Sequence, residues 1–410
     1  MPDERAAAPS RPGPPRASSR PGVRAPWLAA LALMLAALNL RPAVTSVGPV
    51  LEEARADLGM SATAAGLLTA MPAVCFALVG FAASRLARRH GPGTVVLSGM
   101  GAIAAGLALR PLAPDGAVFV ALSAVALAGI AVANVLLPAV VKQRFPDRVG
   151  AVTGGYATAL NIGASTAAAT TVPLAHRFGD WRIGLGAWAL VAAAAVPAWT
   201  ALARDRVAPA PPPDAAPDAG RPSLTRSPTA WALAVYFGLQ ATAAYVVIGW
   251  LPQIYRDAGL PAETAGLLFA VTSVLGIPLS FALALVAGRL RRQGGLAVAL
   301  GLFGLAGYAG LGAAPTAAPW LWACLLGVAN CSFPLALTMI GMRGRDGAAV
   351  TRLSAFAQST GYLISIPGPV LVGALYEHGG GWTAPLVLMA VLMVPQLAAG
   401  LVAGRDRRTG

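Results

Sequence analysis

The chain has 410 residues, of which 57% are hydrophobic and only 11% are charged. A soluble globular protein of this length needs far more charge to cover its surface, so the composition excludes that class and predicts an integral membrane protein. The formal net charge is +14, but no basic face alternates with aromatic residues as a nucleic-acid groove would. We therefore expect no nucleic-acid partner.

Apolar stretches long enough to cross a bilayer recur along the whole chain. A hydrocarbon core about 30 Å thick needs roughly 20 mostly apolar residues for each helical crossing. Stretches of this kind fall near 26–50, 62–84, 93–111, 116–141, 149–175, 183–203, 229–252, 262–288, 295–314, 317–342, 350–375 and 383–404. The sequence therefore predicts an all-α integral membrane protein with twelve transmembrane helices.

Two segments without apolar runs divide these helices into groups. Residues 1–25 alternate Pro, Arg, Ser and Ala, a composition that buries too little apolar surface to fold. Residues 204–228 contain a proline-rich run that is typical of a semi-rigid, solvated linker. We expect a disordered tail at 1–25, a six-helix bundle at 26–203, a linker at 204–228, a second bundle at 229–404 and a tail at 405–410.

The two halves repeat each other's sequence in the same order. The stretch from Asp57 to Ala70 closely matches the stretch from Asp257 to Ala270, about 200 residues later. A similar offset relates Asn134 and Pro138 to Asn330 and Pro334, and Gly179-Asp180-Trp181 to Gly380-Gly381-Trp382. A repeat of this kind predicts two parallel bundles, an arrangement typical of membrane transporters.

The basic residues predict the orientation of the chain in the membrane. Most of the arginines and lysines lie before the first span or in alternate connections, whereas the opposite connections carry acids such as Glu52, Asp257 and Glu377. The positive-inside rule then places both termini in the cytoplasm. We expect a multi-pass protein of the plasma or inner membrane, with the lipid bilayer and a small-molecule substrate as its partners and a monomer as its state.

Several motifs resemble one transporter family. The first span carries Leu40-Arg41-Pro42-Ala43-Val44-Thr45-Ser46-Val47-Gly48-Pro49, the second half carries Tyr236-Phe237-Gly238-Leu239-Gln240 and Trp250-Leu251-Pro252, and Gly179-Asp180-Trp181-Arg182 precedes the sixth span. With the repeat and the central linker, these motifs resemble the major facilitator superfamily, in particular its branch of cyanate permeases and 2-nitroimidazole transporters.

This resemblance implies a fold and a function. The implied fold is two six-helix bundles that rock about a midplane site between helices 1, 4, 5, 7, 10 and 11. The implied function is alternating-access transport of a small anion or small polar organic molecule; the alternative is an efflux carrier for a heteroaromatic drug or secondary metabolite. One motif departs from the family, because the loop Leu86-Ala87-Arg88-Arg89-His90-Gly91 has arginine where an acid usually contributes to a cytoplasmic charge latch.

Arg41 is the leading candidate for a substrate ligand. Counting from Pro26 places it about 22 Å into a core about 30 Å thick, where an arginine usually faces the protein interior or a wet cavity. Its planar guanidinium can bind an anionic or electron-rich group. The alternatives are that Arg41 snorkels outward or binds carbonyls that are freed because Pro42 lacks an N–H. Thr45 shares its face one turn later.

Neutral polar side chains in other spans could also contact the substrate. Those selected are Asn134 and Asn330, each followed by a proline four residues later, together with Asn161, Gln240, Tyr245 and Gln358. Gln358 and Tyr362 are spaced to share a face of helix 11. For the asparagines, the competing interpretation is a hydrogen bond between helices, which is their common role in membranes.

The sequence does not have the residues of an enzyme site. All three histidines lie in predicted loops, and no span carries an Asp or Glu near its centre, so a poised acid–base pair is missing. The three cysteines lie within spans without the spacing of metal ligands. We expect no catalytic residues, cofactor or metal. A membrane sensor would need a further soluble domain, and no segment is long enough to form one.

Overall fold

The computed structural model describes residues 26–204, 224–345 and 347–405. The predicted tail at 1–25, residues 205–223 of the predicted linker at 204–228, and residues 406–410 of the predicted tail at 405–410 lie outside this part of the chain. The helices of the first half are α1 Pro26–Asn39, α2 Pro42–Thr45, α3 Leu51–Leu58, α4 Ala62–His90, α5 Pro92–Leu109, α6 Gly116–Arg144, α7 Val149–Phe178 and α8 Trp181–Arg204. Those of the second half are α9 Pro228–Asp257, α10 Ala262–Arg289, α11 Gly294–Ala313, α12 Pro319–Asn330, α13 Ser332–Arg343, α14 Gly347–Ser365, α15 Pro367–Gly379 and α16 Thr383–Ala403.

The helices confirm the all-α membrane fold. Within the described residues, 10 helical segments are long and apolar enough to cross a membrane. The predicted spans at 149–175 and 350–375 are helical, as α7 and as α14 with α15, but they are not among these segments. Both contain many Ser, Thr, Gly, Asn or Gln residues, which lower their hydropathy. The total of twelve crossings stays a prediction.

Three of the predicted single spans are interrupted. The first contains α1, α2 and a 3-10 turn at Gly48–Val50, because Pro42 cannot continue the backbone ladder of α1. The span of helix 10 is divided at Cys331, not at Pro334, into α12 and α13. The span of helix 11 is divided before Pro367, which then occupies the first turn of α15.

The sequence repeat corresponds to a contact that occurs in both halves of the structure. The indole N–H of Trp181, at the start of α8, donates a hydrogen bond to the Asp57 carboxylate at 3.3 Å. In the second half, Trp382 donates to the Asp257 carboxylate at 2.7 Å. Each half thus ties the end of its first span to the start of its last span. We call these two contacts the Asp–Trp staples.

The two halves pack closely at one end of the molecule, which we call the closed end. It contains the turns around Gly59, Gly179, Gly259 and Gly380, opposite the end at which α4, α6, α8 and α10 finish. Here α4 packs against α15, and α7 packs against α10. One apolar core combines the second half with the closed-end part of the first half, while a separate core fills the rest of the first half.

Glycines allow this close approach between the halves. A Cβ added to Gly48 would lie 2.2 Å from the Ile248 carbonyl oxygen, and one added to Gly373 would lie 2.2 Å from the Ala62 carbonyl oxygen. Both distances are far below van der Waals contact. The backbones of the two halves therefore touch directly at the closed end.

Ionic contacts add to this packing. The Arg256 guanidinium in α9 forms ion pairs with Glu53 at 2.8 Å and Glu52 at 3.1 Å, both in α3. The Glu377 carboxylate in α15 accepts hydrogen bonds from the backbone N–H and hydroxyl of Thr63 in α4.

At the other end, Thr153 and Thr158 of α7 are exposed, as is Thr351 of α14. We call this second end the open end.

Candidate substrate site

The break after α1 places Arg41 between the two halves. Arg41 is the residue that precedes α2, and its side chain is partly exposed. Its guanidinium interacts electrostatically with the phenol groups of Tyr245 in α9 and Tyr362 in α14. Since both tyrosines belong to the second half, Arg41 lies near the boundary between the two halves.

A group of aromatic rings adjoins the two tyrosines. Phe76 of α4 stacks on Tyr362 with ring centroids 5.0 Å apart and an interplanar angle of 19°. Phe237 of α9 meets the same tyrosine edge to face at 5.0 Å, and it also packs against Phe333 of α13 at 5.7 Å. We call Phe76, Phe237, Phe333 and Tyr362 the aromatic cluster. It joins the first half to the second beside the Arg41 charge.

The charge on Arg41 has no ionic partner in the part of the chain that the structure describes. The ion pairs found there join His176 to Glu263, Arg182 to Asp57, and Arg256 to Glu52 and Glu53. All of these pairs lie at the closed end. An unpaired guanidinium that solvent can reach, next to two phenol groups, is suited to bind one negatively charged or electron-rich group.

Gln240 and Asn330 bond to each other and not to Arg41. The Gln240 amide nitrogen donates to the Asn330 carbonyl oxygen at 3.2 Å. Both residues line a small cavity inside the second half, with Tyr308 of α11 and Gln396 of α16. The carbonyl oxygens of Gln240 and Gln396 are buried there without a hydrogen-bond donor among the described residues. This geometry favours an interhelical hydrogen bond over direct substrate contact.

The other selected polar residues bond within their own helices. The hydroxyl of Thr45 is buried and donates to the Arg41 carbonyl oxygen at 3.1 Å. The side-chain amide groups of Asn134, Asn161 and Gln358 donate to the Ile130 carbonyl, the Ala157 carbonyl and the Ser354 hydroxyl, respectively. Of the selected set, the structure thus brings Tyr245 near the Arg41 guanidinium and pairs Gln240 with Asn330 elsewhere, and the ligand role of each residue stays a prediction.

Sequence reasoning missed two members of this site. The sequence places Tyr362 on the same helix face as Gln358, but it favours Gln358, one turn away, as the substrate ligand. Phe76 carries no signal, because an isolated phenylalanine in an apolar span is ordinary core. A search for tyrosines within the predicted spans would have included Tyr362, whereas only the packing of α4 against α14 reveals Phe76.

Comparison with known proteins agrees with this fold. Residues 29–343 match the model of the Major Facilitator Superfamily. An uncharacterized transporter, YycB of Bacillus subtilis (strain 168), is 35% identical over 92% of this chain and 93% of its own length. The 2-nitroimidazole transporter of Escherichia coli (strain K12) is 32% identical, with 92% of this chain and 95% of its own covered. The cyanate transport protein CynX of the same organism is 33% identical, with coverages of 89% and 94%.

Solved transporter structures share the architecture. A bacterial homologue of the human lysosomal transporter Spinster, in an inward-facing and occupied conformation, superposes with a TM-score of 0.73 at 15% identity, over 94% of this chain and 98% of that one. The nucleoside transporter NupG superposes with a TM-score of 0.71 at 12% identity, over 92% and 98%. At these identities the likeness concerns the fold alone.

Proposed function

Because the chain belongs to the Major Facilitator Superfamily and is a multi-pass membrane transporter of small molecules, we propose that its substrate is a small anion or small polar organic molecule bound by Arg41. The observation that carries this proposal is the position of the Arg41 guanidinium, which lies within electrostatic range of Tyr245 and Tyr362 and has no carboxylate partner among the described residues. One positive charge suits a monovalent anion.

We also propose how the site takes part in transport. Arg41 belongs to the first half, whereas Tyr245 and Tyr362 belong to the second. An anion between them would accept hydrogen bonds from the guanidinium fork and from the phenol hydroxyl groups. Such a ligand contacts both halves at once, so its binding favours arrangements in which the halves approach each other around it.

The proposed orientation follows from the charge distribution. The closed end carries Glu52, Glu53, Asp257, Glu263 and Glu377, whereas the basic clusters lie toward the open end. By the positive-inside rule, the open end and both termini face the cytoplasm of a plasma or inner membrane, and this structure represents an inward-facing state. The proposal further includes twelve crossings in two six-helix bundles at 26–203 and 229–404, in a monomer without a nucleic-acid partner.

The aromatic cluster supports a second candidate, the efflux of a heteroaromatic compound. A planar ring can stack on Phe76 or Tyr362, and such pairs contribute about 0.5–1.5 kcal/mol beyond area burial. The names of two relatives, a 2-nitroimidazole transporter and a cyanate transport protein, match the two candidates in turn. The two candidates thus differ in whether a ligand must have an aromatic ring, a negative charge or both in order to bind.

A thermal-shift screen of the purified protein tests the proposal. The probes are cyanate, nitrate, benzoate and 2-nitroimidazole, and hits are then followed by flux into liposomes. We expect Arg41→Gln to weaken binding of an anionic hit by about 10- to 100-fold, since hydrogen bonds to a charged group contribute about 1.5–3 kcal/mol. Arg177→Gln, which removes an exposed arginine at the closed end, is the matched control.

The outcomes separate the candidates. Binding of anions with and without rings, lost in the Arg41→Gln variant and retained in Arg177→Gln, supports the leading proposal. Binding of neutral and charged rings alike, unaffected by Arg41→Gln, supports the heteroaromatic candidate and removes Arg41 from the site. In a deletion strain, loss of drug tolerance indicates export, whereas loss of growth on a small nitrogen source indicates import.

A further inference from the structure

A second arginine meets the break in helix 1, and it is fully buried. Arg110 lies in the 3-10 turn Arg110–Leu112 that follows α5, with 1% of its surface exposed. Burying a guanidinium is costly unless its donors are satisfied, and Arg110 forms no ion pair with a described residue. Its partners are all neutral groups in the segment that follows Arg41.

The break releases carbonyl groups that need donors. In a continuous helix the N–H of Val47 would reach the Ala43 carbonyl, but here it donates to Val44 at 3.3 Å. The guanidinium of Arg110 replaces this missing donor, because its Nη1 donates to the Ala43 carbonyl oxygen at 2.8 Å. A buried carbonyl without a donor would cost about 1–3 kcal/mol, so this contact stabilises the broken conformation.

The other arm of the same guanidinium binds a serine in the same segment. Arg110 Nη2 donates to the hydroxyl oxygen of Ser46 at 3.0 Å. That hydroxyl donates in turn to the Pro42 carbonyl at 2.6 Å. The two bonds therefore hold both ends of the four-residue helix α2, which begins directly after Arg41.

On the other side of the break, different contacts fix the end of α1. The buried side chain of Asn39 donates to the carbonyls of Leu35 at 2.8 Å and Val191 at 3.3 Å, so α1 is tied to α8. The carbonyl of Leu38, which has no N–H partner at Pro42, lies against Gly163 of α7, where a Cβ would be only 2.1 Å away. Arg41 lies between these two anchored segments.

We propose that Arg110 is a positioning residue that fixes the α2 segment and thereby directs the Arg41 side chain toward the second half. The two arginines have different roles at the break in helix 1. Arg110 donates to the Ala43 carbonyl and the Ser46 hydroxyl, so the Arg41 guanidinium is not needed there and lies near Tyr245 and Tyr362. This inference rests on the proposed role of Arg41 in substrate binding.

A spin label at position 41 tests this inference without any ligand. The full chain is prepared with Cys75, Cys324 and Cys331 replaced by alanine and with Arg41→Cys or, as a reference position on α7, Gly154→Cys. Electron paramagnetic resonance spectra are compared for the parent and for Arg110→Met and Arg110→Lys. We expect the mobile fraction of the label at 41 to at least double in Arg110→Met and to change less in Arg110→Lys, which keeps a donor.

The two label positions distinguish positioning from general loosening. Increased mobility at position 41 with an unchanged spectrum at position 154 supports the inference. Unchanged mobility at 41 in a folded Arg110→Met protein overturns it, and so does an equal increase at both positions. If Arg110→Met does not fold, Ser46→Ala removes one of the two acceptors and should give a smaller increase at 41 alone.

The same variants keep this inference separate from the proposed function. With Arg41 intact, Arg110→Met should weaken binding of any anionic hit by about 10-fold, close to one charged hydrogen bond, and Arg110→Lys should recover part of it. If Arg41→Gln leaves binding unchanged while the label at 41 still responds to Arg110→Met, the proposed function fails but the anchoring stands. If binding needs Arg41 and the label does not respond, only the positioning role fails.

Discussion

Replacing Gly373 with alanine should force the closed end apart. The new Cβ would lie 2.2 Å from the Ala62 carbonyl oxygen and 3.0 Å from its carbon, whereas ordinary contact begins at 3.4 Å. Both groups are backbone, so α15 and α4 must separate by about 1 Å, and overpacking of this kind costs about 1–3 kcal/mol. Because the two shortest contacts are with the other half, most of the cost falls on the state closed at this end, while a contact of 3.2 Å with Trp250 lies within the second half. The population open at this end should rise by about 5- to 150-fold.

A buried threonine at the same interface reports that change. Thr69 in α4 is 6% exposed and lies against Gly249 of α9, so a Thr69→Cys thiol can react with a water-soluble maleimide only when the halves separate. In a protein whose native cysteines are replaced by alanine, the labelling rate follows the population open at this end. We expect Gly373→Ala to raise that rate by at least 5-fold, the lower bound of the shift above.

The matched control is Gly154→Ala in α7. A Cβ there would have no neighbour within 4 Å, and it brings the same gain of about 1 kcal/mol in helix propensity. Its labelling rate at Thr69→Cys should therefore equal that of the parent. If a folded Gly373→Ala protein is also labelled at the parent rate, the close packing of α4 and α15 does not control opening, and the reasoning is refuted.

Two further predictions concern the ionic contacts of the closed end. Arg256→Gln should raise the Thr69→Cys labelling rate about 2- to 10-fold at low salt, because partly exposed ion pairs contribute up to about 1 kcal/mol each. Near 1 M salt the substitution should have little effect, because salt screens these pairs. An equal increase in the Arg177→Gln variant would contradict this explanation. Asp257→Asn weakens the group that accepts hydrogen bonds from Tyr376 and Trp382, so it should lower the melting temperature of the protein, measured by intrinsic fluorescence. The control is Asp147→Asn, because Asp147 is exposed and lies outside the Asp–Trp staples, and it should lower the melting temperature less. Equal melting temperatures for the two variants would show that the staple adds no stability.

The parts of the fold that sequence reasoning predicted are those written in repeats and in composition. Asp57 and Asp257 stand at equivalent positions of the repeat, and the structure gives them equivalent indole partners in Trp181 and Trp382. The length of the apolar stretches predicted the helices, because a helix that crosses a bilayer needs about 20 mostly apolar residues in a row, whatever their order. Such signals need no knowledge of which helix neighbours which.

The contacts of the site depend on that knowledge. Helical periodicity shows that Gln358 and Tyr362 share a face, but not that Tyr362 is the one near Arg41. It also does not show that Gln240 and Asn330, on different helices, point toward each other inside the second half. The sequence alternative has Arg41 binding carbonyls freed by Pro42, but periodicity does not show that Arg110, nearly 70 residues later, binds the Ala43 carbonyl just after that proline.

The unpaired charge of Arg41 has a consequence for transport under the proposed function. An alternating-access carrier passes through an arrangement in which its site is closed at both ends, and a guanidinium enclosed there without a counter-ion loses hydration worth several kcal/mol. A bound monovalent anion neutralises Arg41 and replaces that hydration with hydrogen bonds from the guanidinium and the phenol groups of Tyr245 and Tyr362. The loaded carrier therefore closes more readily than the empty one. Arg41 belongs to the first half, whereas the anion that it binds must also contact the second half. Substrate binding is therefore coupled to the movement of the two halves.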